Sequence, residues 1–182
     1  MIDNIKLISQ SSIRIDNNGI IIYFDPFRLN DVSNDADIIF ITHPHYDHFS
    51  KEDILKIKKE SSKIVVPSEV FKDALDLGFS SSDVICVEPG SEYLIDGFSF
   101  KTVNAYNINK DFHKKEYNWV GYVVDIDDAT VYVAGDTDAT DEAKSVSCDI
   151  ALVPVGGTYT MTAKDAAKLA NIIEPQIVIP TH

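Results

Sequence analysis

Short apolar runs alternate with polar punctuation along this chain, and the period of the pattern changes several times. Ile5 to Ser9 and Ser12 to Asp16 alternate or run apolar, Asn17-Asn18-Gly19 supplies residues that tolerate positive φ, and Ile20 to Phe24 follows, which predicts a β-hairpin. Asp25-Pro26-Phe27 ends it, because proline has no N–H for a continuing ladder. A polar segment to Asp35 leads into an apolar strand, Asp37 to Thr42. Ser50, three residues ahead of Asp53, then introduces the helical spacing of Ile54, Leu55 and Ile57, with Lys58 and Lys59 expected in the last turn. Lys63 to Pro67 reads as a buried strand, Ser68 as the cap of a helix through Leu77 that Gly78 stops, and Val84 to Val87 as a further strand.

The second half repeats the sequence of hairpins first and helices later. Glu92 to Ile95 and Phe98 to Val103 flank Asp96-Gly97, and Trp119 to Ile126 and Thr130 to Ala134 flank Asp127-Asp128. Between these hairpins, Ala105 to Tyr117 loses apolar periodicity and gathers Asn, Lys and aromatic residues, which predicts a long loop of the kind that usually carries function in a compact domain. Ile150 to Val155 is a buried strand, Thr162 with Asp165 opens a helix to about Ile173, Pro175 closes it, and Ile177 to Ile179 is the last strand. The expectation is an α/β fold with two sheets face to face and helices on the outer faces. Residues 1–182 would form a single domain of two similar halves split near residue 90.

Composition narrows the function classes. The balance of 16 basic against 29 acidic residues leaves a net charge of -13, which repels phosphate backbones and anionic membranes at long range, so neither nucleic acid nor a membrane is an expected partner. Cys86 and Cys148 lie far apart in apolar surroundings and read as small buried hydrophobes in a reducing, cytoplasmic compartment. No signal-like leader or apolar run of membrane-spanning length is present in the sequence. A homo-oligomer is left open.

Chemistry concentrates in Thr42-His43-Pro44-His45-Tyr46-Asp47-His48, directly after the apolar run Ile38-Ile39-Phe40-Ile41. Three of the chain's five histidines fall in this loop, with a carboxylate among them, and such donors suit a borderline-soft divalent metal. The other two are His113, in the long loop, and His182, after the last strand, while Asp136 also follows a strand end. Ligand-type residues that recur at strand ends of an α/β fold can meet where such folds usually place their sites.

His43-x-His45-x-Asp47-His48, then Gly135-Asp136-Thr137, then Pro180-Thr181-His182, resembles the metallo-β-lactamase superfamily of metal-dependent hydrolases over essentially the whole chain. Asp25-Pro26, Trp119-Val120-Gly121-Tyr122 and Pro154-Val155-Gly156-Gly157-Thr158-Tyr159 resemble its small, ascorbate-phosphate-lactonase-like branch. The resemblance implies the four-layer αβ/βα sandwich of two mixed sheets and a centre of two divalent ions, zinc first, with manganese or iron as alternatives. His43 and His45 would bind the first ion, Asp47, His48 and His182 the second, and Asp136 would bridge both. Many relatives take the first ion's third ligand, a histidine, from the segment matching Thr102 to Asn107, which here holds none. His113 is the favoured replacement and Asn107 the alternative, since imidazole suits zinc better than an amide oxygen. Relatives also run on past the last histidine, whereas this sequence stops at His182, which would bring its carboxylate close to the ions.

Two such ions share a water, lower its pKa and set it in line with an electrophilic carbon or phosphorus, with Asp47 and Asp136 orienting the nucleophile or passing on its proton. Asp25, Thr42 and Asp138 are candidate outer partners of the imidazoles. Tyr106, Asn107, Thr158 and Tyr159, with Phe112 and Tyr117 nearby, are candidate substrate contacts, and the Gly156-Gly157 turn a candidate oxyanion site. The expected activity is hydrolysis of a lactone, ester or phosphodiester in a small, anionic molecule. Three alternatives are weighed: a degenerate metal-binding protein without turnover, a nuclease, which the charge opposes, and a di-iron redox protein, which the hydrolase-type histidine at the second ion opposes.

Overall fold

A computed structural model of the chain describes residues 2–182 and divides at Val87/Glu88 into two compact units. The first unit holds β1 (Ile5–Ser9), β2 (Ser12–Asn17), β3 (Ile20–Phe24), β4 (Ala36–Phe40), α1 (Lys51–Ile57), β5 (Lys58–Pro67), α2 (Phe71–Asp76) and β6 (Val84–Val87). Its strands form one sheet in the order β1-β2-β3-β4-β5-β6, antiparallel through β3 and parallel from there on. The β2–β3 turn has Asn18 and Gly19 both at positive φ, the conformation a two-residue hairpin with native twist requires. Ile39 and Ile41 at β4, with Ile64 and Val66 on β5, pack with Ile54 and Ile57 of α1 and Ala74 of α2. The alternating Ile22, Phe24, Ile38, Phe40 and Val65 are buried as well, as expected of parallel strands covered on both faces.

The second unit holds β7 (Glu92–Ile95), β8 (Phe98–Asn104), β9 (Val120–Ile126), β10 (Ala129–Val133), α3 (Asp141–Lys144), β11 (Ile150–Pro154), α4 (Ala163–Ile173) and β12 (Ile177–Thr181). Its sheet runs β12-β11-β10-β9-β8-β7, antiparallel from β7 to β10 and parallel from β10 to β12. Thr162 caps α4 by accepting from the Asp165 N–H. Ala166, Leu169 and Ile173 of that helix, with Ala143 of α3, cover Tyr132, Ala151 and Val153 of the sheet. Each unit thus carries one mixed six-stranded sheet with helices packed against it, an α/β arrangement.

Four local expectations are corrected. Lys58 and Lys59 begin β5 and not the last turn of α1, because Lys59 pairs with Asp37 and its N–H is taken by the Ser62 hydroxyl. Ser68 makes no cap; it opens a 3-10 turn that runs into α2. The four-residue helix α3 was not expected at all, since one turn held by the Thr140 side chain is too short to show a period. The cysteines are not core residues: Cys86 is exposed and Cys148 half-buried, where burial and then the nearby Asp149 push its thiol up to about 11. Among the described residues no helix is long and apolar enough to cross a membrane.

Candidate metal centre

In the first unit the ligand-type residues sit past the C-terminal ends of two neighbouring parallel strands, β3 and β4. Asp25 ends β3 and Thr42 lies just past β4, so the parallel register sets the carboxylate beside the histidine loop. Asp25 is fully buried and held at φ 43, a left-handed conformation that aspartate tolerates better than most residues. It accepts from the Thr42 N–H (2.8 Å) and the Thr42 hydroxyl (2.7 Å), and its Oδ2 lies 2.7 Å from His48 Nδ1.

These bonds set two tautomers. An ionised carboxylate only accepts, so His48 Nδ1 carries its proton and Nε2 keeps the lone pair. The Thr42 hydroxyl has given its hydrogen to Asp25, so towards His43 Nδ1, 3.0 Å away, its oxygen accepts; Nε2 of His43 therefore keeps its lone pair too. His43 Nε2 lies 3.0 Å from His45 Nδ1, and His48 Nε2 lies 3.9 Å from Asp47 Oδ2. The loop is folded onto itself by the His48 and Phe49 N–H groups, which both donate to the His45 carbonyl. Gln10 Nε2 reaches Asp47 Oδ2 at 3.4 Å, a contact for which the sequence carried no signal.

In the second unit, Asp136 follows β10 and His182 follows β12, again at the C-terminal ends of parallel strands. His113 arrives from the long loop and is buried, at 2 % exposure. His113 Nε2 and His182 Nε2 each lie 3.3 Å from the same oxygen, Asp136 Oδ2. Ligands held at 2.0–2.1 Å around a tetrahedral zinc are spaced about 3.3–3.4 Å apart, so both separations match an edge of such a coordination shell. Imidazoles converging on one carboxylate are donors that fit a divalent cation in type and in spacing.

The long loop is anchored at several points. Asp138 accepts from the Ile108 N–H and pairs with Lys110, which also donates to the Thr160 carbonyl. Asp138 is thus a fastener of the loop, whereas the sequence suggested a partner for an imidazole. Asn107 bonds Tyr159 O through Nδ2 (2.6 Å), and that nitrogen lies 3.1 Å from His113 Nδ1, so its amide stands behind the ring and away from Asp136. Asn107 thus stands on the Nδ1 side of the His113 ring, and Nε2 is the nitrogen that faces Asp136. Trp119 supports the His113 ring edge to face at 5.4 Å, with Tyr117 against Trp119.

The candidate substrate residues divide. Tyr159 is half-exposed and meets half-exposed Phe112 edge to face at 4.9 Å. Thr158 is exposed on the same turn. Tyr106 turns its hydroxyl to Glu142, with Lys115 over its ring, so its phenol is engaged with α3. Lys115 in turn holds the Glu142 carboxyl below the usual carboxylate range. The Gly157 N–H donates to the Met161 carbonyl and is not available to an oxyanion.

Comparison with known proteins adds what geometry alone does not. Residues 4–182 match the β-lactamase superfamily domain. A metal-dependent hydrolase of Thermococcus kodakarensis is 31% identical over 153 residues, covering 81% of this chain and 67% of that protein. The crystal structure of a proposed metal-dependent hydrolase from Parabacteroides distasonis superposes with a TM-score of 0.83 at 28% identity, over 97% of this chain and 80% of the other. A di-iron β-hydroxylase from Streptomyces venezuelae, at 14% identity and a TM-score of 0.78 over 97% of this chain and 44% of its own, shares the fold alone.

Proposed function

Because this chain belongs to the β-lactamase superfamily, we propose that it is a metal-dependent hydrolase of two divalent ions, most simply zinc, with His43, His45, Asp47, His48, His113, Asp136 and His182 as the candidate ligands. The observation that carries this reading is the pair of imidazole nitrogens, His113 Nε2 and His182 Nε2, each 3.3 Å from Asp136 Oδ2. A bound pair of ions would supply a water of lowered pKa and polarise the bond to be cleaved.

The protein's own groups do the rest. Asp25 and Thr42 hold His48 and His43 in the tautomers that offer Nε2, so these rings need no reorganisation to ligate. Asp136 would help hold the ions and offset their charge, and Asp47 would orient a water or take its proton. Phe112 and Tyr159 offer a half-exposed aromatic surface next to His113 for the apolar part of a small substrate. A lactone, ester or phosphodiester is the proposed substrate class, and the charge of -13 argues against a nucleic acid.

The test is hydrolysis of a chromogenic phosphodiester, an aryl ester and a small lactone by protein stripped with chelator and then reloaded with zinc, manganese or iron. Turnover of at least one of them that vanishes on stripping and returns with one metal supports the reading. Hydrolysis that survives stripping would contradict it.

A further inference from the structure

Nδ1 of three buried imidazoles faces a named side chain: Thr42 for His43, Asp25 for His48, Asn107 for His113. Such outer contacts fix ring orientation and tune the ligating nitrogen. For His182 the neighbourhood of Nδ1 is described by Gly156. A methyl group on Gly156 would stand 2.9 Å from His182 Nδ1, 3.0 Å from the His182 carbonyl oxygen and 3.3 Å from Thr160 Oγ1. Gly156 is not among the positive-φ glycines, so its backbone would accept a side chain; what excludes one is the space that His182 and Thr160 occupy.

Thr160 itself is fully buried, and its Oγ1 has no hydrogen-bond partner among the described residues. A buried hydroxyl in that condition destabilises a fold, whereas a valine of the same shape would not. Its carbonyl, by contrast, accepts from Lys110, so the backbone is engaged while the side-chain oxygen is not. No local pattern in the sequence singles Thr160 out.

Resting on the metal-centre reading above, we propose that Thr160 is a positioning residue for His182, its unpartnered oxygen accepting from Nδ1–H once Nε2 engages a metal and the ring settles against it. The hydroxyl is then retained at the expense of metal-free stability because it serves the loaded site. Gly156 keeps the approach between the two side chains open. This role is separate from those of the ligands: Thr160 touches neither ion nor substrate and acts only through the ring.

The experiment compares wild type, Thr160→Val and Thr160→Ser, all metal-free, in thermal unfolding and in zinc titration against a chromophoric chelator. Thr160→Val is expected to unfold at the same or a higher temperature than wild type, while its affinity for the more weakly held zinc falls 10- to 100-fold. Thr160→Ser should restore zinc affinity to within a few-fold. Equal zinc affinity in wild type and Thr160→Val overturns this proposal alone. A lower unfolding temperature for metal-free Thr160→Val overturns it too, since the hydroxyl would then be bonded in the fold itself. Wild type that takes up no zinc overturns the metal-centre reading along with it.

Discussion

Asp25 shows how much one residue can decide. Its two carboxylate oxygens receive the Thr42 N–H, the Thr42 hydroxyl and His48 Nδ1, and through the hydroxyl they also fix the tautomer of His43. Asp25→Ala leaves the buried Thr42 N–H and His48 Nδ1 without this acceptor. At about 1–3 kcal/mol for each of these two unsatisfied buried groups, metal-free protein should lose roughly 2–6 kcal/mol. Urea unfolding in chelator would measure that loss, and zinc affinity should fall on the order of 10- to 100-fold. The histidine cluster was legible in the sequence because imidazoles are sparse and their clustering is local. The second candidate set was legible only through the order of the motifs and not through spacing, since His113, Asp136 and His182 are distant along the chain. Gln10 and Thr160 were not legible, because contacts across strand ends leave no local pattern.

Among elements, the strand ends are what set the ligands in place, so changes far from any ligand should still reach them. Gly121 lies in β9, and a methyl group there would stand 2.6 Å from the Ala134 carbonyl oxygen and 2.8 Å from that of Val133, both backbone atoms. Gly121→Ala should therefore push apart β9 and the strand end that leads to Asp136. A loss of about 1–3 kcal/mol in thermal unfolding, with weakened metal retention, is expected. This also gives a physical reason for a glycine in the Trp119-Val120-Gly121-Tyr122 motif.

The segment after β3 is tied to α1 by Asp53, which accepts from the Arg28 and Leu29 N–H groups and pairs with Lys56. Desolvation pushes this carboxyl up, and Lys56, Ser50 and the two backbone donors outweigh it, holding it below the ordinary value. Its stabilisation is therefore complete above the unfolded pKa of about 3.9 and is lost as pH falls through the lower folded value. The stability gap between wild type and Asp53→Asn should be constant from about pH 6 to 8 and shrink below about pH 4, as urea midpoints would show. A gap that widened on acidification would contradict the assignment.

Asp138 makes a different prediction from the ligands, because it fastens the long loop through Ile108 and Lys110. Asp138→Ala should leave metal content near that of wild type while raising proteolytic cleavage in residues 105–117, read by mass spectrometry of a limited digest. The boundaries of most strands were readable from alternation and turn residues. The start of β5 and the helix α3 were not, because in both places side-chain bonds from Ser62 and Thr140 decide the conformation and the apolar pattern is silent.

For the whole molecule, each unit carries its own mixed sheet and its own candidate ligands at the ends of parallel strands, a repetition visible in the sequence as two passes of hairpin, strand and helix. The α/β class followed from that order and the metallo-β-lactamase fold from the resemblance of the ligand motifs, and structural similarity over 97% of the chain bears the fold class out. The substrate was not legible: apolar periodicity reports the core, and a net charge of -13 names no ligand.

If the chain is a metal-dependent hydrolase with Asp136 among its ligands, metal content per chain is the most direct readout. Wild type and Asp136→Ala would be loaded with excess zinc, freed of loosely bound ions and measured by elemental analysis against protein concentration. The account predicts about two ions per wild-type chain, since two-metal sites of this chemistry share one bridging carboxylate, and a marked loss in Asp136→Ala with cooperative unfolding preserved. Wild type without stoichiometric metal, or an Asp136→Ala variant that retains as much as wild type, would contradict it.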